Sequence, residues 1–229
     1  MSAKRPELTI LGHRGDPRHE NTLRGLRECL AVGLDGAEVD ARLLADGTVV
    51  LFHDRRLERL TGDPRSIAGL SQAELAEVRV FGDPLPTLEA LLAEWPKDRW
   101  LVIELKEGGG EALVDATLAL TSGRERIILS SFDHELLAAA SARGCTHELV
   151  LNLDVRSPMW LHADGGQRFG CAGVHLHASL VSRPTVARYV ARGMQVGFWG
   201  AFDRDHEERL SHLGVVRVIT DFVVDSRLA

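Results

Sequence analysis

An excess of basic residues is the first thing missing from this sequence: 27 Lys and Arg stand against 33 Asp and Glu, for a formal net charge of -6. A general nucleic-acid surface needs a positive field, so that class of partner is excluded. Cysteine chemistry is missing too. Cys29, Cys145 and Cys171 are odd in number, widely spaced and without a Cys-x-x-Cys pair. That excludes a disulfide framework and predicts free, buried thiols in a reducing, cytoplasmic compartment. No apolar run is long enough to span a bilayer, and the polar start 1–7 carries no signal-peptide core, so no stable membrane insertion is expected. Internal repeats, low-complexity tracts and interdomain linkers are also absent from the sequence. Its 229 residues, 45% of them hydrophobic, suit one domain over 1–229.

What is present is a regular alternation. Short apolar, β-branched runs predict strands over 8–13, 36–44, 101–105, 127–131, 148–153, 173–177, 195–199 and 216–220. Amphipathic stretches predict helices over 22–32, 87–95, 111–121, 135–143, 158–169, 184–192 and 204–212. Gly33, Gly123, Gly144, Gly193 and Gly214 follow helical runs, where a left-handed C-cap wants glycine. Alternating elements imply a parallel sheet, and eight strands favour an α/β fold closed as a (β/α)8 TIM barrel. Few residues follow the eighth strand, so its helix must be very short or absent. One interval breaks the rhythm. A short strand over 48–52, entered at Asp46-Gly47, leads into a stretch over 54–86 that is too long for an ordinary loop. Ser71 and Glu74 have capping-box spacing inside it. A small ordered insertion after the second strand is expected, forming a wall of the site.

Charged residues interrupt two of the apolar strands. Glu38 and Asp40 in the second, and Glu104 and Lys106 in the third, lie two apart and so share a face. The two carboxylates repel by roughly 1 kcal/mol at 4 Å in water, and by several times that in a less polar setting. If the two strands are neighbours, three carboxylates converge and a divalent cation is the natural counter-charge. His13, Arg14, His53, Ser131, Asn152, His177, Trp199 and Asp221 gather at other strand ends, where barrel chemistry sits. His13-Arg14-Gly15 has two readings. It is the entrance to a helix capped by Asn21 or Thr22, or His13 moves a proton while the Arg14 fork holds an anionic oxygen. A second histidine beside the carboxylates weighs toward the latter.

The ordered set His13-Arg14-Gly15, Glu20-Asn21-Thr22, Glu38-Val39-Asp40, Asp46-Gly47, His53-Asp54, Leu60-Thr61-Gly62, Pro86-Thr87-Leu88-Glu89, Glu104-Leu105-Lys106, Ser131-Phe132 and Thr220-Asp221 resembles the glycerophosphodiester phosphodiesterase family over essentially the whole chain. The resemblance implies a TIM barrel with a small insertion after the second strand. It implies hydrolysis of a small glycerophosphodiester to sn-glycerol 3-phosphate and an alcohol. Glu38, Asp40 and Glu104 match metal ligands, and His13 and His53 match the general acid and base. Arg14 and Lys106 match phosphate contacts, Trp199 matches a substrate contact, and Glu20 with Asn21 lies in or beside the metal site. Oxygen-only ligands favour Mg²⁺, Ca²⁺ or Mn²⁺ over Zn²⁺. The family's usual Trp-Thr-Val-Asn at the seventh strand is Trp199-Gly200-Ala201-Phe202 here. That departure bears on contacts to the alcohol, not on the metal or proton-transfer residues.

Three rivals remain. His175-Leu176-His177 suggests a zinc amidohydrolase, but its strand position is wrong and His175 is expected to pack inside the barrel. A non-catalytic binding barrel would lack residues that this chain keeps. A lysophospholipase D-like enzyme would share the phosphoryl chemistry and add an apolar surface, for which Trp95, Trp100 and Trp160 are candidates; capping the core is their expected role. Oligomeric state is not legible in the pattern.

Overall fold

The computed structural model describes residues 8–201 and 203–223. The start at 1–7 and Phe202 lie outside them. Eight parallel strands close a barrel in the order β1 (Thr9–Gly12), β2 (Gly36–Leu43), β6 (Trp100–Leu105), β7 (Ile127–Ser131), β8 (Glu148–Leu153), β9 (Gly173–His177), β10 (Gln195–Trp199) and β11 (Arg217–Thr220). Pairing of β1 with both β2 and β11 completes the ring. All eight expected barrel strands are present, most within a residue of their predicted bounds. A short β3 (Val49–Leu51) runs antiparallel to the end of β2.

Period-two alternation assigns the strand residues to two layers. One set, including Val39, Leu101, Ile103, Leu129, Leu151, Val174, Val196, Phe198 and Val218, packs against the surrounding helices in the main core. The other set faces the lumen, where Leu11, Val102, Ile128, Val150 and Ile219 form a small apolar plug. Polar lumen positions lie to either side of that plug. The helices are α1 (Leu23–Ala31), α4 (Leu88–Glu94), α5 (Gly110–Thr121), α6 (His134–Ala142), α7 (Met159–Asp164), α8 (Arg183–Val190) and α9 (Arg204–Ser211). Thr22, Thr87, Asp133, Ser182 and Asp203 cap five of them with side-chain oxygens. Gly36 allows close approach of β2 to β6, because a Cβ there would lie 1.9 Å from the Trp100 carbonyl oxygen.

The expected helix over 158–169 is corrected to α7 followed by a separate 3-10 turn, Gln167–Phe169. Gly165 and Gly166 between them have φ of +64° and +79°, a left-handed pair that ends the helix. The insertion after β3 contains α2 (Glu58–Thr61), α3 (Gln72–Leu75) and the hairpin β4 (Arg79–Val80) and β5 (Asp83–Pro84). It buries a core of its own, which includes Phe52, Leu57, Ile67, Leu70, Leu75 and Val80. The Ser71–Glu74 capping box is formed. Cys29 and Cys171 are buried, Cys145 is half-buried, and all three are free thiols. Among the described residues no helix is long and apolar enough to cross a membrane. Of the tryptophans, Trp95 caps the core at 6% exposure, whereas Trp160 stays 42% exposed.

Candidate active site

Strand register brings the carboxylates together. Asp40 on β2 stands opposite Glu104 on β6, and Glu38 lies one step earlier on the same face. One oxygen from each of Glu38, Asp40 and Glu104 lies within 4.8 Å of the others, and all three residues are buried. Lys106, next on the same face of that chain segment, places Nζ 2.6 Å from Glu104 Oε1 and 2.9 Å from Asp40 Oδ1. Arg14 Nε comes within 3.1 Å of Asp40 Oδ2.

The loop after β1 is shaped to serve this cluster. Arg14 and Asn21 both adopt left-handed backbone, with φ of +53° and +57°. For a residue such as arginine that geometry costs on the order of 1 kcal/mol or more. In return the Arg14 backbone N–H donates to Glu38 Oε2 at 3.0 Å. Thr22, not Asn21, caps α1. Asn21 is thereby free to grip Asp40 twice: its Nδ2 donates to Asp40 Oδ2 at 2.8 Å, and its Oδ1 accepts from the Asp40 backbone N–H at 3.0 Å. Glu20 pairs with Arg14 Nη1 at 3.3 Å and with Arg59 from the insertion. It therefore stands beside the carboxylate cluster and is not one of its three members.

Charge is unevenly matched within the cluster. Asp40 is buried, yet Lys106 and Arg14 hold its carboxyl well below the usual range. Glu38 has the opposite fate. Burial first, and the Asp40 charge second, push its carboxyl up to about 8. Glu104 is also raised, by burial that outweighs the pull of Lys106. Glu38 Oε1 is buried without a hydrogen-bond partner. An unpartnered carboxylate oxygen beside two more carboxylates is an oxygen-donor set short of one positive charge, and a hard divalent cation fits it.

Two histidines face the same cavity, each backed by a carboxylate. His13 Nδ1 donates to Asp221 Oδ1 at 2.6 Å, and His53 Nδ1 donates to Asp54 Oδ1 at 2.7 Å. Both rings thus keep Nε2 for other work. Burial lowers the His13 pKa, but Asp221 and Glu38 more than reverse it, so the net shift is upward. For His53 burial prevails over the Asp40 charge, and the net shift is downward. Arg42 clamps the His53 carbonyl from below with Nε at 2.9 Å and Nη2 at 2.6 Å.

The cavity has a volume of about 250 Å³ and opens at the C-terminal ends of the strands. Its lining includes His13, Arg14, Glu38, His53, Glu104, Lys106 and Trp199, all expected from the sequence. Asp40, Glu20 and Asn21 stand behind that lining as supports. Sequence reasoning left three classes of contributor out of the site. Asp221 stands in the Thr220-Asp221 motif and at a polar strand end without an assigned role, and Asn152 stands only as a polar strand end. Phe132, seen only within a motif, and Arg156 also line the cavity. Arg59, which joins Glu20 to Asp54, precedes the Leu60-Thr61-Gly62 motif and carried no signal of its own. His175 packs inside the barrel, fully buried below the site, where Arg217 Nη1 donates to its Nε2 at 3.1 Å.

Comparison with known proteins follows the same lines. The model of the glycerophosphoryl diester phosphodiesterase family matches residues 12–225. A glycerophosphodiester phosphodiesterase of Caldanaerobacter subterraneus is 29% identical over 141 residues, which span 55% of this chain and 58% of that relative's length. The crystal structure of a glycerophosphodiester phosphodiesterase from Thermotoga maritima superposes with a TM-score of 0.82 at 26% identity, covering 95% of this chain and 96% of the other. A phosphodiesterase of Oleispira antarctica, solved with the product sn-glycerol-3-phosphate, gives a TM-score of 0.85 at 25% identity, covering 95% and 97%.

Proposed function

The chain belongs to the glycerophosphoryl diester phosphodiesterase family, and from that premise we propose that it hydrolyses small glycerophosphodiesters to sn-glycerol 3-phosphate and an alcohol with the help of a divalent cation. The observation that carries this reading is the convergence of three carboxylates, with Glu38 Oε1 unpartnered, and two carboxylate-backed imidazoles on one cavity. Glu38, Asp40 and Glu104 would hold Mg²⁺, Ca²⁺ or Mn²⁺. Bound there, the cation would supply Lewis-acid polarisation of the phosphate.

The side chains do the rest. A phosphodiester is an anion that repels nucleophiles, so added charge must be neutralised as bonding to phosphorus changes. Arg14 offers a planar fork and Lys106 a point charge at the cavity wall. His13 and His53 divide the acid and base roles across the scissile P–O bond. Asp221 and Asp54 fix their tautomers, so that Nε2 of one ring accepts a proton from the attacking oxygen and Nε2 of the other returns one to the leaving alcohol. The three free thiols fit a cytoplasmic setting.

The test is turnover by His13→Ala and His53→Ala. Each substitution should lower kcat on the order of 10²–10⁴-fold while circular dichroism stays native. Wild-type turnover in either variant removes that histidine from the chemistry.

A further inference from the structure

Strands β8 and β10, away from the β2–β6 pair that carries the carboxylates, bring two unmet hydrogen-bonding atoms of opposite kind to the cavity. Asn152, 5% exposed, has its Oδ1 buried with no partner, and its Nδ2 reaches only Ser130 Oγ at 3.5 Å. Trp199 Nε1 is likewise buried without an acceptor. Both residues line the cavity. Rotating the Asn152 amide by half a turn exchanges which end is free and does not satisfy both ends.

An unmet acceptor and an unmet donor on one wall suit a group that both donates and accepts, which is a hydroxyl. A trimethylammonium group does neither, and binding one there would leave both protein atoms unpaired. Arg156 lines this side too, its charge paired with Asp154 Oδ2 through Nε at 2.9 Å and Nη2 at 2.7 Å. Among the described residues, no carboxylate lines the cavity apart from Glu38 and Glu104 of the cluster. Phe132 and Trp199 meet edge to face, with centroids 5.7 Å apart, and shape the slot between these groups.

We infer that Asn152 and Trp199 form a hydroxyl-recognising subsite for the leaving alcohol, and that the preferred diesters carry a polyol head group rather than a quaternary ammonium. The inference rests on the phosphodiesterase reading, with the glycerol 3-phosphate half drawn toward the carboxylates and the other alcohol lying against this wall. Sites built to hydrogen-bond a substrate hydroxyl discriminate strongly against analogues that lack it.

The test uses the full-length protein with saturating Mg²⁺, Mn²⁺ or Ca²⁺, whichever supports turnover. The readout is the ratio of kcat/KM for sn-glycero-3-phosphoglycerol to that for glycerophosphocholine. The wild type should favour the polyol diester by about tenfold or more. Asn152→Ala, and Trp199→Phe, which keeps a ring and deletes the N–H, should each bring that ratio to within about threefold of one through loss on the polyol diester. A wild-type ratio near one, or in favour of choline, overturns the inference and leaves the hydrolase reading standing. So does a ratio that persists in both variants. Failure to turn over any diester overturns the hydrolase reading, and this inference with it. Should a variant misfold, the wild-type ratio alone decides.

Discussion

Replacing Glu38 by glutamine should make the chelated protein more stable, although Glu38 is central to the site. In the fold its carboxyl is pushed up to about 8, from an ordinary 4.5, by burial and by Asp40. A raised folded pKa contributes stability that is fully present below about pH 4.5 and is lost as pH rises toward 8. At pH 7 the loss is about 3 kcal/mol. The Glu38→Gln side chain cannot ionise and can still accept the Arg14 N–H. Its amide N–H would replace the unpartnered Oε1 at a cost of about 1–2 kcal/mol. The net gain is about 1–2 kcal/mol, or roughly 2–8 °C in Tm for a chain of this size. Thermal unfolding followed by circular dichroism in EDTA at pH 7 measures it. Excess Mn²⁺ should then raise the wild-type Tm, by about 2.7 kcal/mol of stability at 100 times Kd, and raise the variant's less. A variant less stable than wild type in EDTA, or equal Mn²⁺ shifts in both, would refute the view of Glu38 as a carboxylate that lacks its cation.

Two other perturbations probe the surroundings. Burial, and then the Arg217 charge, keep His175 neutral and its pKa well below the usual 6.5. The unfolded chain gains a proton below about pH 6.5 and the folded chain does not. Stability is therefore present above that pH and lost below it, by up to about 1.4 kcal/mol per unit. Urea unfolding between pH 7 and 5 should give a flatter profile for His175→Gln, and parallel profiles would contradict the assignment. Arg59→Ala should lower kcat on the order of tenfold by freeing Glu20 and Asp54. Its stability should change by less than about 1 kcal/mol, because the Arg59 side chain is 45% exposed. Partial rescue by Arg59→Lys separates a positioning role from simple misfolding.

The barrel was legible because each strand is a short apolar run with its lumen-facing polar residues at period two. The side chains of Asn21 and Thr22 show where the pattern left a choice open: threonine took the cap and asparagine took Asp40. Other features depend on contacts that no local pattern carries. Asp221 and His13 are 208 residues apart and meet only because β11 closes against β1. Arg59 reaches Glu20 across 39 residues from an insertion with its own core. Asn152 reads like any polar strand end, and only the folded cavity wall leaves its Oδ1 without a partner. The break after α7 lies at Gly165-Gly166, a left-handed pair inside the helix expected over 158–169.

Release of sn-glycerol 3-phosphate from sn-glycero-3-phosphoglycerol, measured on chelator-stripped protein before and after Mg²⁺, Mn²⁺ or Ca²⁺ is restored, bears most directly on the carboxylate site. Turnover should vanish in EDTA, return with at least one of these ions, and fail to return in Glu104→Gln. Undiminished turnover in EDTA would contradict the account.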